Sequence, residues 1–243
     1  MPPRRFAVLD CEDLPHWNGH ARFWLTPLVR PGESWEVFRA WAGELPADPF
    51  AYDGVVITGS HHSVNDAAQG WLEPLFELVR RAVGEPRGPR VLGACFGLQV
   101  AARALGGRVE GNPVGRFIFG TERVAIDPAF HDAFSGAPGP AEATLFSSHG
   151  EQATLLPPGA RALGRSATAD HEIFAIEDRL LAVQFHAELT REALLELILP
   201  RLRENARLAP EHEARALAAL DGTVDSAAFL EVFRRWLDRP RSW

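Results

Sequence analysis

The run Val91-Leu92-Gly93-Ala94-Cys95-Phe96-Gly97-Leu98-Gln99 constrains the fold more than any other part of the chain. An apolar strand leads into Gly-x-Cys-x-Gly and then into a helix, which requires a tight strand-to-helix turn. The central residue of such a turn takes a strained backbone conformation, and its neighbours come close enough to need glycine. A turn of this kind belongs to an α/β sheet, and the first two-thirds of the chain carry that alternation. Phe6 to Leu9 reads as the first strand, Trp35 to Trp41 as a second extended segment, and Val55-Val56-Ile57 as a third strand. Trp71 to Val83 has apolar residues at helical spacing (Leu72, Leu75, Phe76, Val79, Ala82) and ends at Gly84. Arg90 to Ala94 is the strand before the turn, and Leu98 to Leu105 is a small-residue helix closed by Gly106-Gly107.

From about Gly115 to Phe185 the pattern changes to short β-like pieces between Gly/Pro turns: Arg123 to Ile126, Ala143 to Phe146, Ile173 to Ile176 and Leu181 to Phe185. After Thr190 the chain is mostly helical, with Pro200 and Pro210 marking breaks and Asp225 as N-cap of the last helix. The expected architecture is α/β: an open, mostly parallel sheet flanked by helices, with an antiparallel β section and a helical C-terminal tail. Residues 1–200 are expected to form the main domain, and 201–243 a helical extension packed on it.

Every one of the 25 basic residues is Arg, because the sequence contains no Lys. That removes pyridoxal phosphate and Schiff-base aldolase chemistry, P-loop nucleotide chemistry and protein kinase activity, each of which needs a lysine amine. Two cysteines, Cys11 and Cys95, exclude a disulfide framework and any Cys-rich metal site. The formal charge of −7 argues against nucleic acid or an anionic membrane as partner. Arg234, Arg235, Arg239 and Arg241 form a local basic patch, read as a solvated helix face. No stretch reaches the roughly 20 apolar residues of a membrane span. The N-terminus lacks the pattern of a secretory signal, so a cytoplasmic location is expected.

Cys95 stands at the start of a helix, where the dipole and free N–H groups favour thiolate over thiol. The Phe96 N–H is placed to donate to a developing oxyanion. Read alone, the motif serves equally well as a buried structural cysteine in a Gly-rich turn. Gln184-Phe185-His186-Ala187-Glu188 follows the apolar run Leu181-Leu-Ala-Val. A His at the C-terminal end of a strand reaches a cysteine on the same sheet edge, and Glu188 can orient its second ring nitrogen. The two halves together favour nucleophilic catalysis. Gly54-Val-Val-Ile-Thr-Gly59-Ser60 offers a second backbone donor near Gly59.

Ile57-Thr-Gly-Ser60, Gly93-Ala-Cys-Phe-Gly-Leu-Gln99, Ser148-His-Gly-Glu151 and Gln184-Phe-His-Ala-Glu188 together resemble class I glutamine amidotransferase domains, closest to the glutaminase half of GMP synthase. The resemblance covers roughly residues 5 to 200. Gly32-Glu33-x-Trp35-Glu-Val-Phe38 and Glu172-Ile-Phe-Ala-Ile-Glu-Asp178 look like the stand-alone γ-glutamyl peptidases of that group. The resemblance implies a flavodoxin-like sheet, a triad of Cys95, His186 and Glu188, and an oxyanion hole from the amides of Gly59 and Phe96. It implies a γ-glutamyl substrate held near Ser60, Gln99, Ser148, His149 and Gly150, with neither metal nor organic cofactor. Two residues depart from the pattern: Ala187 replaces the usual Pro, and Glu151 the usual Asp.

Three functions follow as alternatives. One is a stand-alone hydrolase of γ-glutamyl amides, which the peptidase-like segments favour. Another is a glutaminase subunit delivering ammonia to a separate synthetase partner, and the third a non-catalytic domain that binds γ-glutamyl compounds or a partner. Among the other candidates, His61 and His62 follow the oxyanion loop, but adjacent side chains usually diverge. His16 and His20 have i, i+4 spacing without a third ligand. His131, His171 and His212 read as surface residues, Cys11 as an inert buried thiol, and Trp17, Trp24, Trp35, Trp41 and Trp71 as core packing.

Overall fold

The chain was analysed as a computed structural model, which describes residues 3–136 and 139–239. In chain order the strands are β1 (Arg5–Asp10), β2 (Ser34–Arg39), β3 (Gly54–Ile57), β4 (Arg90–Ala94), β5 (Arg108–Gly111) and β6 (Ile118–Ile126). They continue as β7 (Glu142–His149), β8 (Glu151–Leu155), β9 (Arg161–Arg165), β10 (Ile173–Ile176) and β11 (Leu180–Val183). The helices are α1 (Ala21–Leu28), α2 (Leu72–Gly84), α3 (Phe96–Ala104) and α4 (Pro128–Phe130), the last running on as a π-helical turn, His131–Ser135. After β11 come α5 (Arg191–Ala193), a second π-helical turn (Leu194–Ile198), α6 (Leu199–Glu204), α7 (Pro210–Ala219) and α8 (Ser226–Asp238).

Side chains on a strand alternate between faces, and β1 shows why a sheet buried on both faces reads as one apolar run. Ala7 and Leu9 enter the core under α2 and α3. Phe6 and Val8 enter the opposite core, under Trp24 of α1 and Phe229, Phe233 and Trp236 of α8. The nine-stranded sheet has the order β2-β1-β3-β4-β11-β10-β9-β6-β7. Its first five strands are parallel, and pairing turns antiparallel from β10 onward. β5 and β8 form a separate two-stranded ribbon. The expected mostly parallel sheet with an antiparallel section and a helical C-terminal region is the fold found.

The parallel order is that of flavodoxin-like sheets: the chain leaves β1 for β2 on one side and returns to β3 on the other. Such a switch point opens a crevice at the C-terminal strand ends. Register levels those ends, because Leu9 pairs with Ile57, Ile57 with Gly93 and Gly93 with Ala182. The loops that begin at Cys11, Thr58, Cys95 and Gln184 therefore leave one edge together.

Several local expectations needed correction. β6 and β7 extend well beyond Arg123–Ile126 and Ala143–Phe146, because half-exposed polar residues such as Thr121 and Glu122 interrupt the apolar pattern. Pro200 and Pro210 stand in the first turns of α6 and α7, where the missing N–H costs nothing, so they begin helices. Asp225 precedes α8 without capping it; its carboxylate accepts from the Thr144 amide (2.8 Å) and ties the helix to β7. No helix among the described residues is long and apolar enough to cross a membrane.

The supposed basic face of α8 is partly interior. Arg234 is only 4% exposed, and its guanidinium pairs with buried Glu33 and with Asp238, over the Phe6 ring. Arg235 does face solvent, paired with Glu231, and Arg241 lies outside the described residues. Removing one partner of a buried pair strands the other charge, so Arg234→Ala is expected to cost about 3–5 kcal/mol of stability. Urea unfolding checks this, and adding Glu33→Gln should return part of the loss.

Candidate active site

The turn between β4 and α3 has the geometry its glycines anticipate. Cys95 has φ 52° and ψ −103°, a conformation that L side chains seldom hold. A Cβ on Gly93 would lie 2.5 Å from the Gly97 carbonyl oxygen, and one on Gly97 would lie 2.4 Å from that of Ile57. Any side chain at either position would push the strand, the turn and β3 apart. The Cys95 amide donates to the Val183 carbonyl (2.8 Å), so the segment after β11 starts directly beside the cysteine.

That segment is pinned from the other side, where the His186 amide donates to the Phe146 carbonyl on β7 (2.8 Å). His186 Nδ1 donates to Glu188 Oε1 at 2.7 Å, and both side chains are buried. The ring stands beside Cys95, whose sulfur bears on its charge. Burial alone would push the imidazolium pKa down; the Glu188 carboxylate, and after it the Cys95 sulfur, outweigh burial and hold it well above the usual histidine value. Ala187, in the place of the family's Pro, is buried against the sheet, and the His-to-Glu bond forms without the ring.

His20 was weighed in the sequence only as half of a zinc pair, and it belongs elsewhere. His16 lies in a short 3₁₀ turn (Pro15–Trp17), with Nε2 3.1 Å from the Leu197 carbonyl, whereas His20 starts α1 and is 2% exposed. Its Nδ1 donates to the Gly59 carbonyl (3.1 Å), which also accepts from Thr58 Oγ1 (3.0 Å). Its Nε2 stands 3.7 Å from Glu188 Oε1. Burial lowers the His20 pKa against the pull of that carboxylate. A Cβ on Gly59 would sit 3.0 Å from His186 Cε1 and 3.1 Å from His20 Cε1, so a side chain there would press on both rings.

Cys95 and His186 open on a cavity of about 440 Å³. Ser60, Gln99, Ser148, His149 and Gly150 line it, whereas Gly59, Phe96 and Glu188 are not among its lining residues. Cys95 Sγ lies 3.6 Å from the Ser148 carbonyl oxygen. Gln99 Nε2 donates to the Glu151 carbonyl (2.8 Å), and Ser63 Oγ holds the Glu151 carboxylate (2.9 Å). Asn112 was missed by the sequence reading. Its amide nitrogen donates to the His149 carbonyl (2.8 Å), its oxygen accepts from His149 Nδ1 (3.1 Å), and its backbone N–H reaches the Gly150 carbonyl (3.0 Å). Burial, and then the charge on His186, push the His149 pKa down to about 3, so this ring is neutral.

The outer wall carries Leu14, Trp17, Phe117, Leu197, Ile198 and Leu202, with Arg201 and Arg207. Trp17 is thus more than core packing. His61 and His62 also line the cavity, and contrary to expectation their rings converge, with centroids 4.1 Å apart. A hydrogen bond donated to Glu12 raises the His61 pKa, whereas burial lowers that of His62. His131, expected at the surface, is buried, with Nε2 2.9 Å from the Pro140 carbonyl.

Comparison with known proteins decides the family. The family model described as "Glutamine amidotransferase class-I" matches residues 34–198. The chain belongs to that family. Among curated members, the chain is similar to gamma-glutamyl peptidase 4 of Arabidopsis thaliana, with 30% identity over 75% of this chain and 72% of the relative. Gamma-glutamyl peptidase 2 of the same plant is 30% identical over 80% of each chain. A GMP synthase (glutamine-hydrolyzing) of Thermomicrobium roseum is 35% identical over 60% of this chain but only 30% of its own length. The amidotransferase fold is shared with a solved glutamine amidotransferase of Thermotoga maritima, at a TM-score of 0.72 and 21% identity over 98% of this chain and 100% of that one.

Proposed function

We propose that this protein hydrolyses γ-glutamyl amides as a stand-alone enzyme, through a γ-glutamyl thioester on Cys95. The observation that carries the reading is the 2.7 Å His186–Glu188 bond beside Cys95, with His186 and Cys95 facing the same cavity. The Cys95 thiolate attacks the δ-carbonyl carbon; as the C–S bond forms, the carbonyl electrons move to oxygen, which the amides of Gly59 and Phe96 receive. Phe96 is the first residue of α3, where backbone N–H groups lack partners within the helix. His186 gives its proton to the amine nitrogen as the C–N bond breaks. The now neutral ring takes a proton from water, whose oxygen attacks the thioester and frees the γ-carboxylate and the thiolate.

Ser60, Gln99, Ser148, His149 and Gly150 are assigned to the γ-glutamyl group because they line the cavity around Cys95. Residues 1–200 are taken as the catalytic unit and 201–243 as a helical extension packed on it, of which 240–243 lie outside the described residues. Similarity along most of the length of two γ-glutamyl peptidases favours independent action. Two free thiols agree with a cytoplasmic location. The test is turnover of glutamine, a γ-glutamyl dipeptide and glutathione by the purified chain. Peptide hydrolysis without a partner is expected. Glutamine hydrolysis that appears only with a synthetase added would overturn the stand-alone reading, and an inert Cys95 toward γ-glutamyl electrophiles would leave a binding domain.

His20 enters this reading as a positioning residue that holds the oxyanion loop through the Gly59 carbonyl and flanks Glu188. His20→Ala is expected to lower kcat by about 10- to 100-fold with KM little changed. A merely structural role would lower the unfolding midpoint and leave the kcat of the folded fraction intact.

A further inference from the structure

The loops that leave β1 and β3 bring a second cluster to the rim of the cavity. Asp13 Oδ1 lies 3.7 Å from His61 Nδ1 and 3.3 Å from His62 Nε2, and one ligand atom from each residue falls within 4.8 Å of the other two. A tetrahedral zinc ion with bonds of 2.0–2.2 Å separates its ligand atoms by about 3.3–3.5 Å. The two oxygen-to-nitrogen distances bracket that spacing, so little movement is needed to close a coordination shell.

Sequence neighbours such as His61 and His62 normally splay apart, yet here their rings lie close together, tilted by 35°. Each is held there. The His61 amide and Nδ1 both donate to the Glu12 carboxylate, at 2.9 and 2.7 Å, and the Leu14 amide fixes the same carboxylate at 3.0 Å. The His62 ring packs edge-on against Trp71, with centroids 5.5 Å apart. Its Nε2 is buried without a well-formed hydrogen bond and is aimed at Asp13. The carboxylates of Glu12 and Asp13 both bear on this corner, against the guanidinium charge of Arg201. Two imidazoles and a carboxylate make a donor set suited to a borderline divalent cation.

We propose that Asp13, His61 and His62 form a binding site for a zinc-class divalent cation at the cavity rim, where the ion displaces the proton that His61 Nδ1 shares with Glu12 and leaves that carboxylate beside it as a further ligand. The site is separate from the Cys95 relay, and the inference does not depend on the proposed hydrolysis. Because His61 and His62 line the same cavity as Cys95, a bound ion stands where the outer part of a substrate would lie.

The test uses the full chain carrying Cys95→Ala, so that the sulfur facing the cavity cannot take the metal. Calorimetric titration with Zn²⁺ should give one ion per chain. Co²⁺ should give the visible bands of a four- or five-coordinate site, without sulfur charge transfer. Asp13→Asn and His62→Asn should each weaken binding by more than about tenfold, while His212→Asn, at the start of α7, should leave it unchanged. Asp13 is partly exposed, so its variant carries the test even if His62→Asn fails to fold. Absence of stoichiometric binding, or binding equally tight in Asp13→Asn and the unaltered site, overturns the proposal.

Discussion

Replacing Cys95 with alanine is expected to lower the hydrolysis of a γ-glutamyl dipeptide by at least about 10⁴-fold, with little change in unfolding midpoint. The expectation rests on the sulfur being the only atom removed. Alanine keeps a Cβ at φ 52°, so the strain of the turn remains, and the Cys95 amide keeps its bond to Val183. The oxyanion amides and the cavity wall stay where they are, so residual activity measures what they supply without a nucleophile. Steady-state rates with pure protein, paired with urea unfolding, check both halves. Full turnover by Cys95→Ala would remove the thioester mechanism outright.

Glu188→Gln is expected to cut kcat by about 10²- to 10⁴-fold and to move the alkaline limb of the pH profile toward lower pH. Gln keeps an oxygen that can accept from His186 Nδ1, so the ring is still oriented, but the negative charge is gone. In the native site that charge is the first influence to outweigh burial and hold the His186 pKa well above its ordinary value. Without it burial prevails, the folded-state pKa falls, and the imidazolium needed to protonate the departing amine is lost at a lower pH. The profile of kcat/KM between about pH 5 and 10 reports this directly. An alkaline limb that stays in place would mean that Glu188 does not tune His186.

The parts of the site that could be read from the sequence share one property: their chemistry is declared within a few residues. Gly93 and Gly97 announce their turn because the close approach occurs inside the turn itself and at the neighbouring strand β3. His186 and Glu188 sit two residues apart at a strand end, so their pairing is local. His20 and Asn112 carry no such mark. His20 acquires its role from Gly59 and Glu188, and Asn112 from carbonyls and a ring 37 residues away. The same holds for Arg234, whose partner Glu33 lies 201 residues earlier. In the fold, the parallel strands were legible because burial on both faces makes them continuous apolar runs. The β6–β7 hairpin was cut short in the reading because half its length alternates with solvent-facing polar residues.

The burial of Cys11 has a practical consequence. Its sulfur has no exposed surface, and burial pushes its thiol well above the usual range, leaving Cys95 as the cysteine that borders a cavity. An alkylating reagent applied to folded protein thus counts molecules: a single adduct per chain reports one competent site, and a fractional value reports the occluded remainder. Denaturation uncovers the second sulfur, so the ratio of the two readings is an internal standard that needs neither a substrate nor a known concentration.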